Sequence, residues 1–369
     1  MGLLDLFDEK FREPADAVVR VDGEEITDLY PSLVEISVEC TRNRWCQATL
    51  RFESVRDESG RWRVQDEEIL VPWKPIVIEA AFGERTEEVM QGYIQQVGAS
   101  YPEQTGAATV TVSCRDTSLK LDREHVRTTW GTEEVPTSDS DILREILSGR
   151  HQLLPHPDSG RGQSGLVQQH QNSTDIRFLK QRADANGYEI YFEKDALYFG
   201  PMRLDAAPQE TIMVYAGDAT NCLRFDVTTD GHRPDRVAYD VSETEGDGVV
   251  AEVVSPDLPL LGTSAAGSEG AGLDDFVWKM SRKATRNQEE LAALALAKAN
   301  EFSMRVRARG ELDGSLYGHV LRVGQPVEVD GIGNWLGGIY YVDAVTHNFG
   351  VDGYRQSMQL LRNAYGDNL

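Results

Sequence analysis

Residue types that could carry out catalysis occur in this chain, but not at the spacings that known catalytic motifs require. Glu124 and His125 stand together without the second histidine of a zinc-protease motif. His151, His156 and Asp158 are close in sequence, but prolines interrupt the stretch and prevent a helix from presenting two histidines on one face. The sequence contains neither a nucleophile elbow nor a Walker loop for phosphate. We therefore expect that the protein is not an enzyme and that it holds no cofactor and no metal.

The remaining candidate motifs are equally weak. The glycine-rich stretch at residues 331–338 has too many residues between its second and third glycines for a dinucleotide-binding loop, and its flanks predict strands. With 61 acidic residues, two carboxylates at the separation of a glycosidase pair are unavoidable and indicate nothing. Five scattered histidines are expected to be structural or on the surface: His125, His170, His232, His319 and His347.

The cysteines indicate no metal site either. Cys40, Cys46, Cys114 and Cys222 form neither a C-x-x-C pair nor a zinc-binding spacing. The start of the chain lacks the basic residues, the long apolar run and the cleavage site of a secretion signal. We therefore expect reduced thiols, buried as small hydrophobic side chains in the cytosol. Residues 1–14 are predicted to form a short amphipathic segment that docks on its own domain or on a neighbour.

Length and charge narrow the class of protein. The chain has 369 residues, which corresponds to two or three domains, and 40% of them are hydrophobic. This composition supplies real cores and excludes wholesale disorder. The formal net charge of −24 disfavours binding to a nucleic-acid backbone, because like charges repel. No apolar run is long enough to span a membrane.

The elements that would position any site are mostly strands. Side chains alternate between apolar and polar in five segments of the first hundred-odd residues, which predicts an antiparallel sandwich or barrel: 33–40, 48–53, 76–82, 92–97 and 109–114. Helix patterns near 139–149 and 173–186 then indicate a small α+β unit at 117–205. Strands return from about residue 211 and again over the last 65 residues. The stretch 242–275 is rich in Gly, Ser and acidic residues and predicts a mobile insertion, followed by a helix from about residue 288.

Three ordered groups of residues resemble the phage late control protein D family, the baseplate hub of contractile tails and related injection systems. The first group comprises Gly92 in Gly92-Tyr93-Ile94 and Asp116 at the end of a later strand. The second follows a run of glutamines and comprises Asp175, Phe178, Leu179 and Gly187. The third lies in the last strands and comprises Gly318, Gly324, Gly338, Tyr340, His347, Arg362 and Asn363. The chain departs from the family at residue 323, where Val replaces a frequent Pro. We expect these residues to shape the fold and not to bind a ligand.

The resemblance implies a mainly β fold with α+β parts. Two tube-forming, antiparallel barrel-like domains are expected, one at residues 15–116 and one formed by 206–245 with 305–365. A peripheral α+β domain is expected at 117–205, and an insertion with a flexible loop and a helix at 246–304. Larger members continue into a fused spike. This chain ends at residue 369, so it resembles a hub whose spike is a separate polypeptide.

The same resemblance implies a structural function. Three copies would form a ring that joins a central spike to the six-fold inner tube and templates tube assembly. The expected partners are the spike, the inner tube protein and baseplate wedge components, without sequence-specific nucleic-acid binding and without a membrane anchor. Assembly is expected in the cytoplasm, as part of a phage tail or injection particle. Acidic residues in the ring lumen would repel DNA or acidic cargo, or would serve solubility alone. A tail-associated cell-wall hydrolase and a receptor-binding adhesin are the alternative functions.

Overall fold

The first part of the chain is a series of antiparallel strands. The computed structural model describes residues 15–103, 107–242, 249–267, 272–281 and 288–366, and the predicted amphipathic segment 1–14 lies outside them. Alternation in the sequence matches alternation in burial: in the fourth strand, every second side chain from Ala48 to Ser54 is buried. The strands are β1 (Ala15–Val21), β2 (Glu24–Glu25), β3 (Leu33–Thr41), β4 (Gln47–Ser54), β5 (Pro75–Phe82), β6 (Arg85–Ser100) and β7 (Ala108–Asp116).

A small α+β unit follows, as the change of sequence period predicted. Its elements are α1 (Ser118–Leu121), β8 (His125–Trp130), α2 (Asp139–Arg144), β9 (Leu154–Pro155), β10 (Gln169–Thr174), α3 (Asp175–Asn186), β11 (Glu189–Glu193) and β12 (Ala196–Gly200). Ser138 caps α2, because its hydroxyl accepts a hydrogen bond from the amide of Asp141. A π-helical turn, Glu145–His151, continues α2. The unit has a hydrophobic core of its own, built from α2, α3 and the β11–β12 hairpin.

Strands return in the last part of the chain. They are β13 (Gln209–Met213), β14 (Cys222–Thr229), β15 (Arg236–Ser242), β16 (Val249–Val254), β17 (Ser264–Ala265), β18 (Val277–Lys279), β19 (Val306–Asp313), β20 (Pro326–Asp330), β21 (Gly338–Gly350), β22 (Gly353–Arg362) and β23 (Ala364–Tyr365). Two helices interrupt them, α4 (Gln288–Ser303) and α5 (Gly314–Tyr317). The helix predicted from residue 288 is therefore present.

One 13-stranded sheet joins the two ends of the chain. Its order is β14-β19-β22-β21-β3-β4-β7-β6-β5-β1-β2, with β20 added to β21 and β13 added to β20. The link is the antiparallel pairing of β21 with β3, in which Val345 lies opposite Cys40. A single hydrophobic core runs through strands from both ends. The mainly β fold class is thus confirmed, whereas the division into four domains stays a prediction.

The sheet curls strongly, so that distant strands approach each other. The amide of Ala15 in β1 donates a hydrogen bond to Ser315 Oγ at 2.9 Å, next to the start of α5. The rings of Phe82 in β5 and Tyr354 in β22 lie 6.2 Å apart. These contacts close the β1 side of the sheet onto β22, and they enclose the apolar side chains between them.

Two of the four cysteines are paired, which corrects the expectation that all thiols are reduced. Cys40 is the penultimate residue of β3 and Cys46 precedes β4, and the two form a disulfide across the end of this hairpin. Their Cα atoms lie 4.3 Å apart, because the hairpin brings residues six apart in sequence face to face. Cys114 and Cys222 are free and buried, as expected.

Candidate functional site: the polar face and open edges of the sheet

Eight neighbouring strands of the large sheet form a continuous surface with one polar side. They run in the order β14-β19-β22-β21-β3-β4-β7-β6, and every neighbouring pair is antiparallel. Residues opposite each other in the ladder lie on the same side of the sheet. We call the exposed or half-exposed side the polar face. One row across it reads Arg224, Glu311, Ser357, Thr346, Glu39 and Gln47.

The polar face is nearly balanced in charge. Its carboxylates are Glu35, Glu39, Glu53, Asp226, Glu311 and Asp313, and its guanidinium groups are those of Arg51, Arg224, Arg307, Arg309 and Arg355. Three of these arginines form ion pairs within the face. Arg224 pairs with Asp226 at 2.6 Å, Arg51 pairs with Glu35 at 3.2 Å, and Arg355 pairs with Asp313. Hydroxyl and amide side chains fill most of the other positions. The large negative charge of the chain therefore lies mostly elsewhere.

Both ends of this eight-stranded surface are open. In the described part of the chain, β14 pairs with β19 on one side and with no strand on the other. At the opposite end, β7 is the only strand among the described residues that pairs with residues 96–100 of β6, because β5 pairs with the earlier residues of β6. Backbone amides and carbonyls along such edges remain available to another strand. The surface thus has the form of a sheet that a neighbouring molecule could continue.

A buried ion pair fixes the α+β unit on the sheet. Glu189, at the start of β11, accepts hydrogen bonds from Arg42 Nη1 at 2.8 Å and from the Tyr341 hydroxyl at 2.7 Å. Arg42 also donates through Nε to Asp343 at 2.6 Å. Burial raises the pKa of Glu189, although the positive charge of Arg42 opposes this. These residues belong to the β3–β4 loop, β11 and β21, so the pair ties three distant segments together.

The first two predicted signature residues, Gly92 and Asp116, lie opposite each other in the β6–β7 ladder. A Cβ atom at Gly92 would lie 2.0 Å from the carbonyl oxygen of Arg115, so only glycine fits. The Asp116 carboxylate accepts hydrogen bonds from the amides of Cys46 at 2.7 Å and Ser118 at 3.0 Å. Burial raises the pKa of Asp116, against the effect of these bonds. Gly92 thus permits the close approach of β7, and the Asp116 carboxylate binds two backbone amides.

The second signature group lies in the α+β unit. Asp175 begins α3 and accepts hydrogen bonds from Arg150, His151 and Gln171 at 2.9, 2.8 and 2.7 Å. Burial acts to raise the pKa of Asp175, but hydrogen bonds from His151 and Gln171 outweigh it and hold the pKa below its usual value. Phe178 and Leu179 are buried in the core of the unit. Gly187 ends α3, and a Cβ atom there would lie 2.4 Å from Ala297 Cβ in α4.

Three glycines of the third group shape turns. Gly318 ends α5 with positive φ, and its carbonyl accepts a hydrogen bond from Arg85. Gly324 also has positive φ, and its carbonyl accepts a hydrogen bond from the Tyr191 hydroxyl at 3.3 Å. Gly338 is the first residue of β21. The loop around Gly324 therefore touches the α+β unit as well as the sheet.

The polar residues of the third group are buried. His347 is 2% exposed, and its Nδ1 lies 2.9 Å from the Tyr354 hydroxyl. Burial, reinforced by the charge of Arg322, lowers the pKa of His347 to about 3, so the ring is neutral at physiological pH. Tyr340 donates its hydroxyl to the carbonyl of Leu336 at 2.7 Å. His347 is thus a packed strand residue.

Arg362 and Asn363 hold a segment that the sequence predicted to be mobile. Arg362 is fully buried and donates to four backbone carbonyls, those of Leu261, Leu336, Gly337 and Gly366, at 2.6–2.9 Å. Asn363 bonds the amide of Leu261 and the carbonyl of Pro259. Leu261 is itself buried against the sheet. The prediction of a mobile insertion is therefore wrong for residues 259–266, while 243–248 and 268–271 lie outside the described residues.

The predicted signature residues are spread over the large sheet and the α+β unit and do not surround one pocket. A cavity of about 50 Å³ lies beside the disulfide and is lined in part by Glu88, Asp116 and His347. A cleft of about 900 Å³ lies between α3, α4 and β21. In the described ranges, no three His, Cys, Asp or Glu side chains are placed to hold one metal ion. No helix among the described residues is long and apolar enough to cross a membrane.

Sequence reasoning missed the most informative groups. Nothing in the sequence around Arg42 or Glu189 marks them as partners, because 147 positions separate them. The open edges of the eight-stranded surface were missed too. Whether a strand lies at an edge depends on which other strands pair with it, and the sequence does not show this. The strand at 92–97 was predicted, but not that its distal part lies at the end of the sheet.

A match to a protein-family model identifies the family of this chain. The model described as the Alg8 N-terminal domain matches residues 13–350, and the chain belongs to that family. The late control protein D family, which the motifs resemble, is not the one whose model matches. No curated protein sequence matches this chain.

Solved structures share the fold at low sequence identity. The 43 kDa tail protein of prophage MuSo2 from Shewanella oneidensis is 12% identical with a TM-score of 0.70, over 94% of this chain and 98% of that one. A tail protein from Neisseria meningitidis is 14% identical with a TM-score of 0.66, over 95% and 97%. A chain of the Francisella PdpA-VgrG complex is 9% identical with a TM-score of 0.57, over 94% and 58%. The chain thus has a fold found in phage tail proteins.

Proposed function

We propose that this member of the Alg8 N-terminal domain family is the structural hub of a contractile tail or injection-particle baseplate. Three copies would form a ring that joins a central spike to the six-fold inner tube and templates tube assembly. The observation that carries the proposal is the eight-stranded surface with one polar face and two open edges. Neighbouring molecules can complete a sheet of this kind, and cyclic rings are the usual closed form of head-to-tail contacts.

The comparisons support the tail part of the proposal. Two solved structures with this fold, over nearly their full lengths, are described as tail proteins. A third belongs to a complex that contains VgrG, which is consistent with a spike as partner. The proposal therefore places the protein in a phage tail or a related particle, assembled in the cytoplasm, with a structural rather than a catalytic role. Inner tube and baseplate wedge proteins are the other proposed partners.

We infer that the polar face lines the lumen of the ring. Its carboxylates and guanidinium groups nearly cancel, so the lumen would neither strongly repel nor strongly bind a charged cargo. This favours solubility over an acidic lumen as the role of the net charge of −24. Hydroxyl and amide groups on the face stay hydrated and offer a passing polymer no apolar patch to adhere to.

Native mass spectrometry of the full chain tests the proposal, alone and after co-expression with a candidate spike protein. We expect a species of three times 41.1 kDa, or a complex of three chains with a spike trimer. A chain that remains monomeric under both conditions would contradict the hub function. Negative-stain images of the same sample should show a ring with a central opening, and a compact particle without an opening would contradict the lumen.

A further inference from the structure

The disulfide closes a loop that holds one side of the α+β unit on the large sheet. We call residues 41–45 the clasp loop. We propose that Cys40 and Cys46 form a redox-sensitive clasp: the oxidised pair keeps the junction between the clasp loop and the α+β unit closed, and the reduced pair lets it open more often. The inference goes beyond the proposed hub function and does not depend on it, because it concerns contacts within one chain.

Arg42 makes the clasp loop part of both the sheet and the α+β unit. Its amide donates a hydrogen bond to the carbonyl of Asp343 in β21 at 3.2 Å, and its carbonyl accepts one from the amide of Ile190 in β11 at 3.3 Å. Its guanidinium group binds the carboxylates of Asp343 and Glu189. A displacement of this one residue therefore breaks bonds to the sheet and to the unit together.

The other end of the clasp loop contacts the start of the α+β unit. The Trp45 ring centre lies 3.8 Å from the guanidinium carbon of Arg115. Arg115 donates to the Asp122 carboxylate at 2.9 Å, and Asp122 accepts a hydrogen bond from the Thr174 hydroxyl at 2.6 Å, directly before α3. The position of the loop is thus coupled at both of its ends to the unit.

The disulfide is the cross-link that keeps the two ends of the clasp loop together. The β3–β4 ladder ends at the pair Glu39 and Gln47. Beyond this pair the two strands follow different neighbours, because Cys40 pairs with β21 and the amide of Cys46 binds Asp116 at the end of β7. Without the S–S bond the enclosed residues gain conformational freedom, so their contacts with the unit form less often.

The α+β unit in turn shields the disulfide. Cys40 and Cys46 are only 6% and 9% exposed. The cavity of about 50 Å³ beside them is lined on the side of the unit by Glu193 and Lys194. This volume has room for a few water molecules but not for a thiol of the size of glutathione, so a reductant reaches the sulfur atoms when the junction opens. Docking protects the disulfide to the same extent as the disulfide stabilises docking.

Thiol–disulfide exchange supplies the chemistry, with oxidised glutathione as the oxidant. The thiolate of one cysteine attacks a sulfur atom of oxidised glutathione, which breaks that S–S bond, forms a mixed disulfide and releases one glutathione. The second thiolate attacks the protein sulfur of the mixed disulfide, so that the bond between the two cysteines forms and the other glutathione leaves. The two cysteines lose two electrons and two protons, which the two released thiols carry. A reducing compartment drives the exchange in the opposite direction.

Hydrogen exchange at single-residue resolution tests the clasp in the full chain, oxidised or held reduced with dithiothreitol. We expect the amides of Arg42, Cys46 and Ile190, which bond across the junction, to exchange at least about tenfold faster in the reduced protein. Amides of β14, which β19, β22 and β21 separate from β3, should not change. The matched control combines Cys40→Ser with Cys46→Ser, which should exchange like the reduced protein and should not respond to dithiothreitol.

The rate of reduction gives a second readout, which a disulfide that merely braces the fold would not alter. Arg42→Met removes both ion pairs of the clasp loop and should speed reduction by dithiothreitol at least about tenfold, with unchanged exchange in β14. Alkylation of the released thiols and mass spectrometry measure this rate. Asp343→Asn is the milder variant if Arg42→Met does not fold, and it should speed reduction to a smaller extent. Arg44→Met, at an exposed position of the same loop, should leave the rate unchanged.

The outcomes separate this inference from the proposed function. Equal exchange of the junction amides in both redox states overturns the clasp. Exchange that quickens equally in β14 also overturns it, because the disulfide then stabilises the whole fold and not the junction. A reduction rate that neither Arg42→Met nor Asp343→Asn changes shows that docking does not shield the sulfur atoms, and it overturns the clasp too. A trimer with a redox-insensitive junction leaves the hub function standing, whereas a monomer with the expected exchange contradicts the hub function alone.

Discussion

Replacing Arg362 with methionine should destabilise the protein far more than replacing an exposed arginine. Arg362 is fully buried and donates to four backbone carbonyls without a carboxylate among those partners. Methionine fills a similar volume but leaves all four carbonyls without these donors. A hydrogen bond from a charged group contributes about 1.5–3 kcal/mol, and each unsatisfied buried group costs about 1–3 kcal/mol.

The expected loss is smaller than the sum of these values. Two of the carbonyls, on Leu261 and Gly366, lie on segments outside the large sheet, and we expect these segments to detach and become hydrated in the variant. We therefore expect the free energy of unfolding to fall by about 3–5 kcal/mol, which is the range for removing one partner of a buried charged interaction. Arg362→Lys should lose roughly half as much, because one ammonium group has three donors and a shorter reach.

Urea unfolding followed by tryptophan fluorescence measures the effect, with Arg309→Met as the matched control. Arg309 lies exposed on β19, so its replacement should change stability by less than about 0.5 kcal/mol. Hydrogen exchange should show loss of protection at residues 261–266 in Arg362→Met only. A loss below about 1 kcal/mol, or unchanged protection of that segment, would refute the view that Arg362 holds it.

Three further predictions follow from the same structure. Replacing both Cys40 and Cys46 with serine should lower the free energy of unfolding by about 2 kcal/mol, and unreduced wild-type protein should show two free thiols when denatured. Folding lowers the pKa of His347 to about 3, so the unfolded state binds a proton between pH 6.5 and pH 3 that the folded state does not. Lowering the pH through this range should therefore destabilise the wild type more than His347→Gln, by up to about 1.4 kcal/mol for each pH unit, as measured by urea unfolding. Gly324→Ala should lower the melting temperature more than Gly333→Ala, since both have positive φ but only Gly324 would place its Cβ against a tyrosine hydroxyl, at 2.3 Å. Equal shifts in melting temperature would show that strain in φ alone decides.

Much of the local structure could be predicted from residue patterns. The alternation in 48–53 places Leu50 and Phe52 on the buried side of β4, and both are fully buried. The apolar spacing and the glycine cap that predicted a helix at 173–186 correspond to α3, which ends at Gly187 with a left-handed residue. The predicted start differs, because Ser173 and Thr174 belong to β10 and Thr174 forms no side-chain cap bond. These features depend on neighbours within a few positions, so a single sequence specifies them.

Two expectations failed because they depended on distant residues or on geometry. The segment around Leu261 has a composition typical of mobile loops, yet Arg362, about a hundred positions away, binds its backbone. The cysteines were assigned as reduced thiols from the absence of a secretion signal. The hairpin geometry that brings Cys40 and Cys46 together was not part of that reasoning.

The sequence by itself determined the strands, their two faces and the small helical unit, because alternation and helix caps act over a few residues. It also carried motifs that resemble a tail hub. Only the tertiary structure decided which strands pair, and therefore which edges stay open. Pairing of β21 with β3 joins segments about 300 positions apart, and it is this contact that makes one eight-stranded surface out of two stretches of chain. The physical reason is that no residue type marks an open strand edge. An edge is open or paired according to whether another strand lies beside it.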